Sequence, residues 1–177
     1  RRNVVRVVVS IVVALAVALA GDRVLLSKGY GGGSVVLQLK HDSNEGWQVA
    51  SQWRSRTLLK SKLTNVAVYN DHAYGLSDGV LECVNLNTGE RAWKRGRYGH
   101  GQILRVRDLL LVQAEAGYLA LVEATPEAFR ELDRVDALEG KTWNNLCLSG
   151  RRLLTRNAEQ AACFELPVDS DSDQPSD

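Results

Sequence analysis

The chain reads as an all-β protein, a partial β-propeller of about three to four four-stranded antiparallel blades. Three observations predict this. The segment HAYGLSDGVLECVNLNTGERAW, from His72 to Trp93, reads as strand, tight turn, strand, tight turn and a tryptophan. Weaker copies of the pattern lie on both sides at intervals of roughly 40 residues, the spacing of propeller blades. The apolar positions alternate, as in Val35, Leu37 and Leu39, or run together, as in Leu109 to Val112, without a helical rhythm.

The first element in order is residues 1–20. RRNVVR is basic, Val7 to Ala20 is apolar and uncharged, and Ala18-Leu19-Ala20 has the small-x-small form of a signal-peptidase site. The apolar run is shorter than the roughly 20 residues of a membrane span. It reads as a signal peptide or membrane anchor or, being rich in Val and Ile, as an extra buried strand. The first reading places the protein in the periplasm or elsewhere outside the cytoplasm, with a membrane tether as one outcome.

The repeats occupy 21–168. GDRVLLSKGYGGGSVVLQL starts at Gly21, NDHAYGLSDGVLECVNL at Asn70, RDLLLVQAEAGYLALVEA at Arg107 and GRRLLTRNAEQAACFEL at Gly150. Each is a polar entry, an apolar run, a turn and an apolar strand, with Asp22, Asp71, Asp108 and Arg151 in equivalent places. Gly29 to Ser34 is a glycine-rich turn; no lysine follows it, so it is not a phosphate loop. WQVASQW, Trp47 to Trp53, alternates as a strand, and Ile103, Leu104 and Val106 form a short apolar run. Helix is expected for at most about a turn, within Pro126 to Leu132. Pro167 ends the last strand, and the acidic, Ser- and Pro-containing residues 169–177 cannot bury enough apolar surface to order themselves.

The second unit carries the clearest signals. Asp78-Gly79 supplies the positive backbone angles of a two-residue hairpin, and Thr88-Gly89 is a second turn. Trp93 offers a large apolar face to a neighbouring blade. Together Asp78, Gly79, Thr88, Gly89 and Trp93 resemble the pyrroloquinoline-quinone-type propeller repeat of the quinoprotein alcohol dehydrogenase-like proteins, including those of unassigned function in planctomycete-type bacteria. The resemblance implies that Trp93, and also Trp47, docks between adjacent blades. The third unit departs from the pattern, with Phe129 near the tryptophan slot and a Thr125-Pro126-Glu127 turn.

That family closes its ring with seven or eight blades. About three and a half units imply a fragment, a truncated product, or an arc completed by another copy. Open blade edges are a recognised route to self-association. The cofactor-binding members hold a calcium-bound quinone under a disulfide between consecutive cysteines. This chain has no such pair, so no cofactor is expected.

Composition narrows the function. Lys+Arg number 22 against 21 Asp+Glu, which gives no global steering toward nucleic acid. Arg91, Lys94, Arg95 and Arg97, interleaved with Trp93 and Tyr98, read as a solvated stretch around one buried tryptophan rather than a nucleic-acid site. His41, His72 and His100 are dispersed and lack metal-ligand spacing; His100, in RYGHG, reads as a loop histidine. Cys83 and Cys163 read as small core residues, and a Cys147–Cys163 disulfide stays open. No GxSxG elbow appears. The reading is a non-catalytic scaffold that binds an unknown protein or small ligand. The alternatives are a fragment of a quinone-dependent dehydrogenase, or an outer-membrane assembly-type propeller, although Gly21 stands where that type carries its lipobox cysteine.

Overall fold

In the computed structural model, which describes residues 14–167, every regular element is a β-strand. The first sheet holds β1 (Ala14–Leu19), β2 (Arg23–Lys28), β3 (Gly33–Asp42) and β4 (Gly46–Ser55). The second holds β5 (Ser61–Tyr69), β6 (His72–Ser77), β7 (Val80–Asn85) and β8 (Arg91–Arg97). The third holds β9 (Gln102–Val106), β10 (Leu109–Gln113), β11 (Tyr118–Glu123) and β12 (Glu131–Asp136). The fourth holds β13 (Cys147–Ser149), β14 (Arg152–Arg156) and β15 (Ala161–Glu165). Each sheet is antiparallel and wound in chain order. β1 packs on β5 and β5 on β9, whereas β4 and β12 are largely exposed. Each blade therefore runs outward from a common axis.

Local turn chemistry builds the repeat. Gly21-Asp22 and Asn70-Asp71, joining first to second strands, all have positive φ, as a two-residue hairpin requires. The four residues equivalent in sequence share one structural device. The carbonyls of Asp22, Asp71 and Asp108 accept the amides of Leu39, Leu86 and Ala124 at 2.8 Å, and Arg151 accepts that of Leu166 at 2.7 Å. This bond ties the end of each third strand to the first turn of its own blade.

The core lies between blades. Leu25 and Val36 of the first blade meet Val66, Ala73, Val84 and Leu86 of the second. Tyr74, Leu76, Leu81, Cys83 and Trp93 of the second meet Ile103, Leu110, Val112, Ala120 and Val122 of the third. Leu111 and Leu119 of the third meet Leu146 and Leu153 of the fourth. Neighbouring blades thus bury each other's apolar faces, and each interface is its own small core.

Residues 1–13 and the acidic tail 169–177 lie outside the described residues. Of the N-terminal apolar segment, Ala14–Leu19 is β1, in register with β2 from Ala14↔Lys28 to Leu19↔Arg23. Leu15, Val17 and Leu19 pack on the first interblade core.

Other expectations are corrected. Pro126 to Leu132 contains no helical turn; residues 126–130 are bend and coil and β12 begins at Glu131. The Glu123 amide donates to the Arg130 carbonyl at 3.0 Å, and Phe129 is drawn onto Trp93, which leaves no register for a helix. Trp47 does not dock between blades: it is 64% exposed, with its ring edge-on to His41. Strict alternation would set Trp47 and Trp53 on one face. A bulge between Val36 and Leu37 moves the pairing from Val36↔Trp53 to Leu37↔Ser51 and turns the far half of β4 over. Trp53 is the residue that docks.

The cysteines divide. Cys83 is fully buried, and burial pushes its thiol up to about 12. Cys163 is exposed rather than in the core, as is Cys147. Both stand beside Leu154, in the pairings Cys147↔Leu154 and Leu154↔Cys163. Two strand spacings, roughly 9–10 Å, exceed the reach of a disulfide, so all three thiols are free.

Candidate functional site

Antiparallel winding puts the linkers between blades and the turns between second and third strands at one end of the arc, here termed the linker face. Buried polar side chains hold the linker peptides and the bulged start of β5 there. Ser34 Oγ donates to the Leu58 carbonyl at 3.0 Å. Glu82, fully buried, accepts the Leu59 amide at 2.7 Å and is paired with the Arg91 guanidinium. Gln102 Nε2 donates to the carbonyls of Leu63 and Trp143 at 2.8 and 3.0 Å, while its Oε1 accepts the Asn65 amide at 3.1 Å. Gln113 Nε2 donates to the Asn144 carbonyl at 3.2 Å, and its Oε1 accepts the Thr155 hydroxyl. A linker amide or carbonyl left unpaired in such a site costs roughly 1–3 kcal/mol. These residues join strands remote in sequence. Their sequence signal is a polar side chain in or beside an otherwise apolar strand.

The residues singled out in the second unit hold its turns. Asp78 and Gly79 both have positive φ, 50° and 82°. The Asp78 carboxylate pairs with Lys60 and, at 3.4 Å, with Lys62, and the Lys60 bond is the first cause of its lowered pKa. Asn85 Oδ1 accepts the amides of Asn87 and Thr88 at 2.8 and 3.1 Å, which closes the turn containing Thr88 and Gly89. Gly89 has φ 72°, and a Cβ there would lie 2.8 Å from the Trp53 ring. Trp53 Nε1 donates to the Leu86 carbonyl at 2.7 Å. Trp93, 8% exposed, repeats that contact one blade on: its Nε1 donates to the Thr125 carbonyl at 2.8 Å, and its ring meets Tyr74 and Phe129. Counting back from the next blade's first strand would have found Trp53, since β5 and β9 start at similar distances after Trp53 and Trp93.

The basic stretch around Trp93 forms β8. Trp93 and Tyr98 are buried, Arg91 is bound to Glu82, and Lys94 donates to Ser77 Oγ at 3.1 Å. Arg95 and Arg97 are exposed.

A recess of about 470 Å³ opens on the linker face. The β8–β9 linker supplies Tyr98 and Gly99, the β10–β11 turn Ala114 to Ala116, and the β12–β13 linker Gly140 and Lys141. Arg97 and Tyr118 complete the wall. Glu115 has both oxygens engaged: Oε2 accepts the His100 amide at 2.9 Å and Oε1 accepts the Trp143 indole N–H at 3.0 Å. The His100 amide is the leading cause of the lowered pKa of Glu115. The Tyr98 hydroxyl donates to Glu131, and burial, then Glu131, raises its pKa. Arg134 lies 4.3 Å from the Tyr118 ring centroid and pairs with Glu131. His100 sits half-buried in the linker beside this recess. Among the described residues no three His, Cys, Asp or Glu side chains form a metal-holding group. The recess thus has aromatic walls, the cations of Arg97 and Lys141 at its rim, and a charged carboxylate held by two hydrogen-bond donors.

No protein-family model matches the chain, and no curated protein matches it in sequence. Solved structures do. The computationally designed Ika4 protein superposes with a TM-score of 0.63 at 11% identity over 88% of this chain and 92% of its own. BamB from Moraxella catarrhalis, a PQQ-like β-propeller, superposes with a TM-score of 0.55 at 18% identity over 84% of this chain. The fold is that of a β-propeller. The N-terminal domain of Nup159 gives a TM-score of 0.50 at 12% identity over 85% of this chain. The match spans 42% of the BamB chain and 43% of the Nup159 domain.

Proposed function

We propose that the chain is a non-catalytic propeller scaffold that binds an acidic group, on a protein segment or a small ligand, at the linker-face recess. The observation that carries this is the recess walled by Tyr98 and Tyr118 with the Arg97 and Lys141 cations at its rim, where the charged Glu115 carboxylate is held in place by the His100 amide and the Trp143 indole. Propeller neighbours support a binding scaffold in general terms. The Asp78-Gly79 and Thr88-Gly89 turns and the docked Trp93 support placing the repeat in the pyrroloquinoline-quinone type, without quinone or calcium. Nucleic acid is not the partner in this reading. Location outside the cytoplasm belongs to it too, supported by Arg1, Arg2 and Arg6 ahead of an apolar run. Because Ala14–Leu19 pairs with β2, export in this reading leaves that strand in the mature protein.

The test compares the native chain with an Arg97→Glu, Lys141→Glu variant against a panel of fluorescent acidic and basic peptides. Acidic peptides should bind the native chain and lose at least tenfold in affinity with the variant, at unchanged melting temperature. Indistinguishable binding by the two proteins overturns the recess as the site. Stoichiometric retention of pyrroloquinoline quinone with calcium on a desalting column, together with alcohol oxidation, overturns the non-catalytic reading.

A further inference from the structure

At the start of β5 the pairing jumps from Ser61↔Ser77 to Val66↔Gly75, so residues 62–65 bulge out of the ladder. Leu63, within the bulge, holds φ 59° and is 64% exposed. That angle strains any residue with a Cβ, and an exposed leucine gains little from burial to offset it. Thr64 beside it is buried, and its Oγ1 has no hydrogen-bond partner among the described residues. Local rules broken together without gain to the fold mark a segment shaped for another purpose.

The bulge is held firmly all the same. The buried Gln102 amide clasps the Leu63 and Trp143 carbonyls and the Asn65 amide, and Asn65 Nδ2 donates to Asn145 Oδ1 at 3.0 Å. One side chain thus brings the Leu63 backbone to that of Trp143, which is 52% exposed in the β12–β13 linker. Both side chains stand on the linker face, and neither belongs to a blade-to-blade face. Lys141 Nζ lies 4.9 Å from the Trp143 ring centroid, and the Trp143 indole reaches Glu115, so the apolar pair abuts the recess. The charged groups tied to this strip by contact or by lining the recess are Lys60, Lys62, Arg97 and Lys141 against Asp78 and Glu115, a cationic surplus.

We infer, resting on the recess as the acid-binding site, that the recess and the Leu63–Trp143 pair are two subsites for one partner. That partner is an extended segment of another protein, with an aliphatic side chain two residues from an acidic one. A carboxylate hydrogen-bonded to Lys141 at about 2.8 Å lies no more than about 8 Å from the Trp143 ring. Residues two apart on one side of an extended chain are separated by about 6.4–6.8 Å. The acid therefore enters between Arg97 and Lys141 while the aliphatic side chain lies on Leu63 and Trp143. A small acid fills the recess alone and leaves the apolar pair in water. Because Gln102 fixes the pair in advance, the partner need not order it on binding.

The probes are three fluorescein-labelled peptides of Gly and Ser that carry Leu-Ser-Asp-Ser-Leu, Ala-Ser-Asp-Ser-Ala or Leu-Ser-Asn-Ser-Leu, symmetric so that chain direction does not matter. Binding to the full chain is read by anisotropy. The first peptide should bind at least tenfold more tightly than either of the others. Leu63→Asn keeps a residue type that tolerates φ 59° and keeps the carbonyl that Gln102 holds. It should melt no lower than the native protein, weaken the first peptide at least fivefold and leave the second unchanged. Arg97→Glu with Lys141→Glu should weaken both acidic peptides. Equal binding of the first two peptides, or of the first peptide by Leu63→Asn and the native chain, overturns the apolar subsite and leaves the recess standing. A Leu63→Asn protein that melts well below the native one shows that Leu63 serves the fold, and overturns the subsite as well. Equal binding of the first and third peptides, or no binding by any of the three, overturns the recess and the subsite together.

Discussion

Trp47 of β4 and Trp93 of β8 share a residue type and nothing of their environment. Trp47 is 64% exposed on the outermost strand, and Trp93 is 8% exposed between two blades with its indole N–H on a neighbour's carbonyl. Truncating a buried tryptophan costs roughly 3–5 kcal/mol. Trp93→Ala should lower the melting temperature by about 10 °C or more, or leave the chain unfolded, whereas Trp47→Ala should stay within about 0.5 kcal/mol of the native protein. Thermal melts of the two variants check this, and an unchanged Trp93→Ala melt would contradict the interblade core described above. The resemblance made Trp93 legible in the sequence. Trp53 was not, because the bulge at Val36 and Leu37 decides which half of β4 faces inward, and alternation alone cannot locate a bulge.

At the scale of elements, the hairpins were legible because two-residue turns and alternating strands are written locally. Asp78-Gly79 and the equivalence of Asp22, Asp71, Asp108 and Arg151 needed no long-range information. The linker-face recess was not legible, since it assembles two linkers, one turn and two strand ends that lie far apart in the chain. The Thr88-Gly89 turn joins these levels. Gly89 both takes a positive φ and floors the Trp53 ring of the preceding blade. Gly89→Val should therefore weaken two blades at once, through backbone strain at φ 72° and through overpacking against the indole, each worth roughly 1–3 kcal/mol. Gly140 has a similar φ of 80° but open space where a Cβ would lie, so Gly140→Val should show the backbone part alone. Urea melts of the pair separate the terms; equal losses would mean that the Trp53 contact contributes nothing.

For the molecule as a whole, acid is the informative stress. Asp78 and Glu115 hold an interblade linker to a turn within a blade, and both have pKa values lowered below the ordinary 3.8 and 4.5. A carboxylate whose folded pKa is depressed contributes stability that is fully present above its unfolded pKa and is lost as pH falls through the folded one. The melting temperature should change little from pH 7 to about pH 5 on this account and fall below about pH 4. Asp78→Asn and Glu115→Gln should each flatten that fall while lowering the plateau. A melting temperature that rises on acidification contradicts the assignment. Loss of these two tethers acts on the blade-to-blade joints, so acid should loosen the arc before it dissolves the individual sheets.

The indole clamps all point the same way along the chain. Trp53 reaches from the first blade onto the second, and Trp93 from the second onto the third. The blades overlap like shingles, each pinned by the one before it and pinning the one after. A shingled row resists lifting from one side and yields from the other. Disturbing the second blade releases Trp53 from its carbonyl and also withdraws the pin that Trp93 drives into the third. Disturbing the third leaves the Trp53 pin in place. Damage in this arc therefore spreads more readily toward higher residue numbers than toward lower ones, and the direction is fixed by two hydrogen-bond donors.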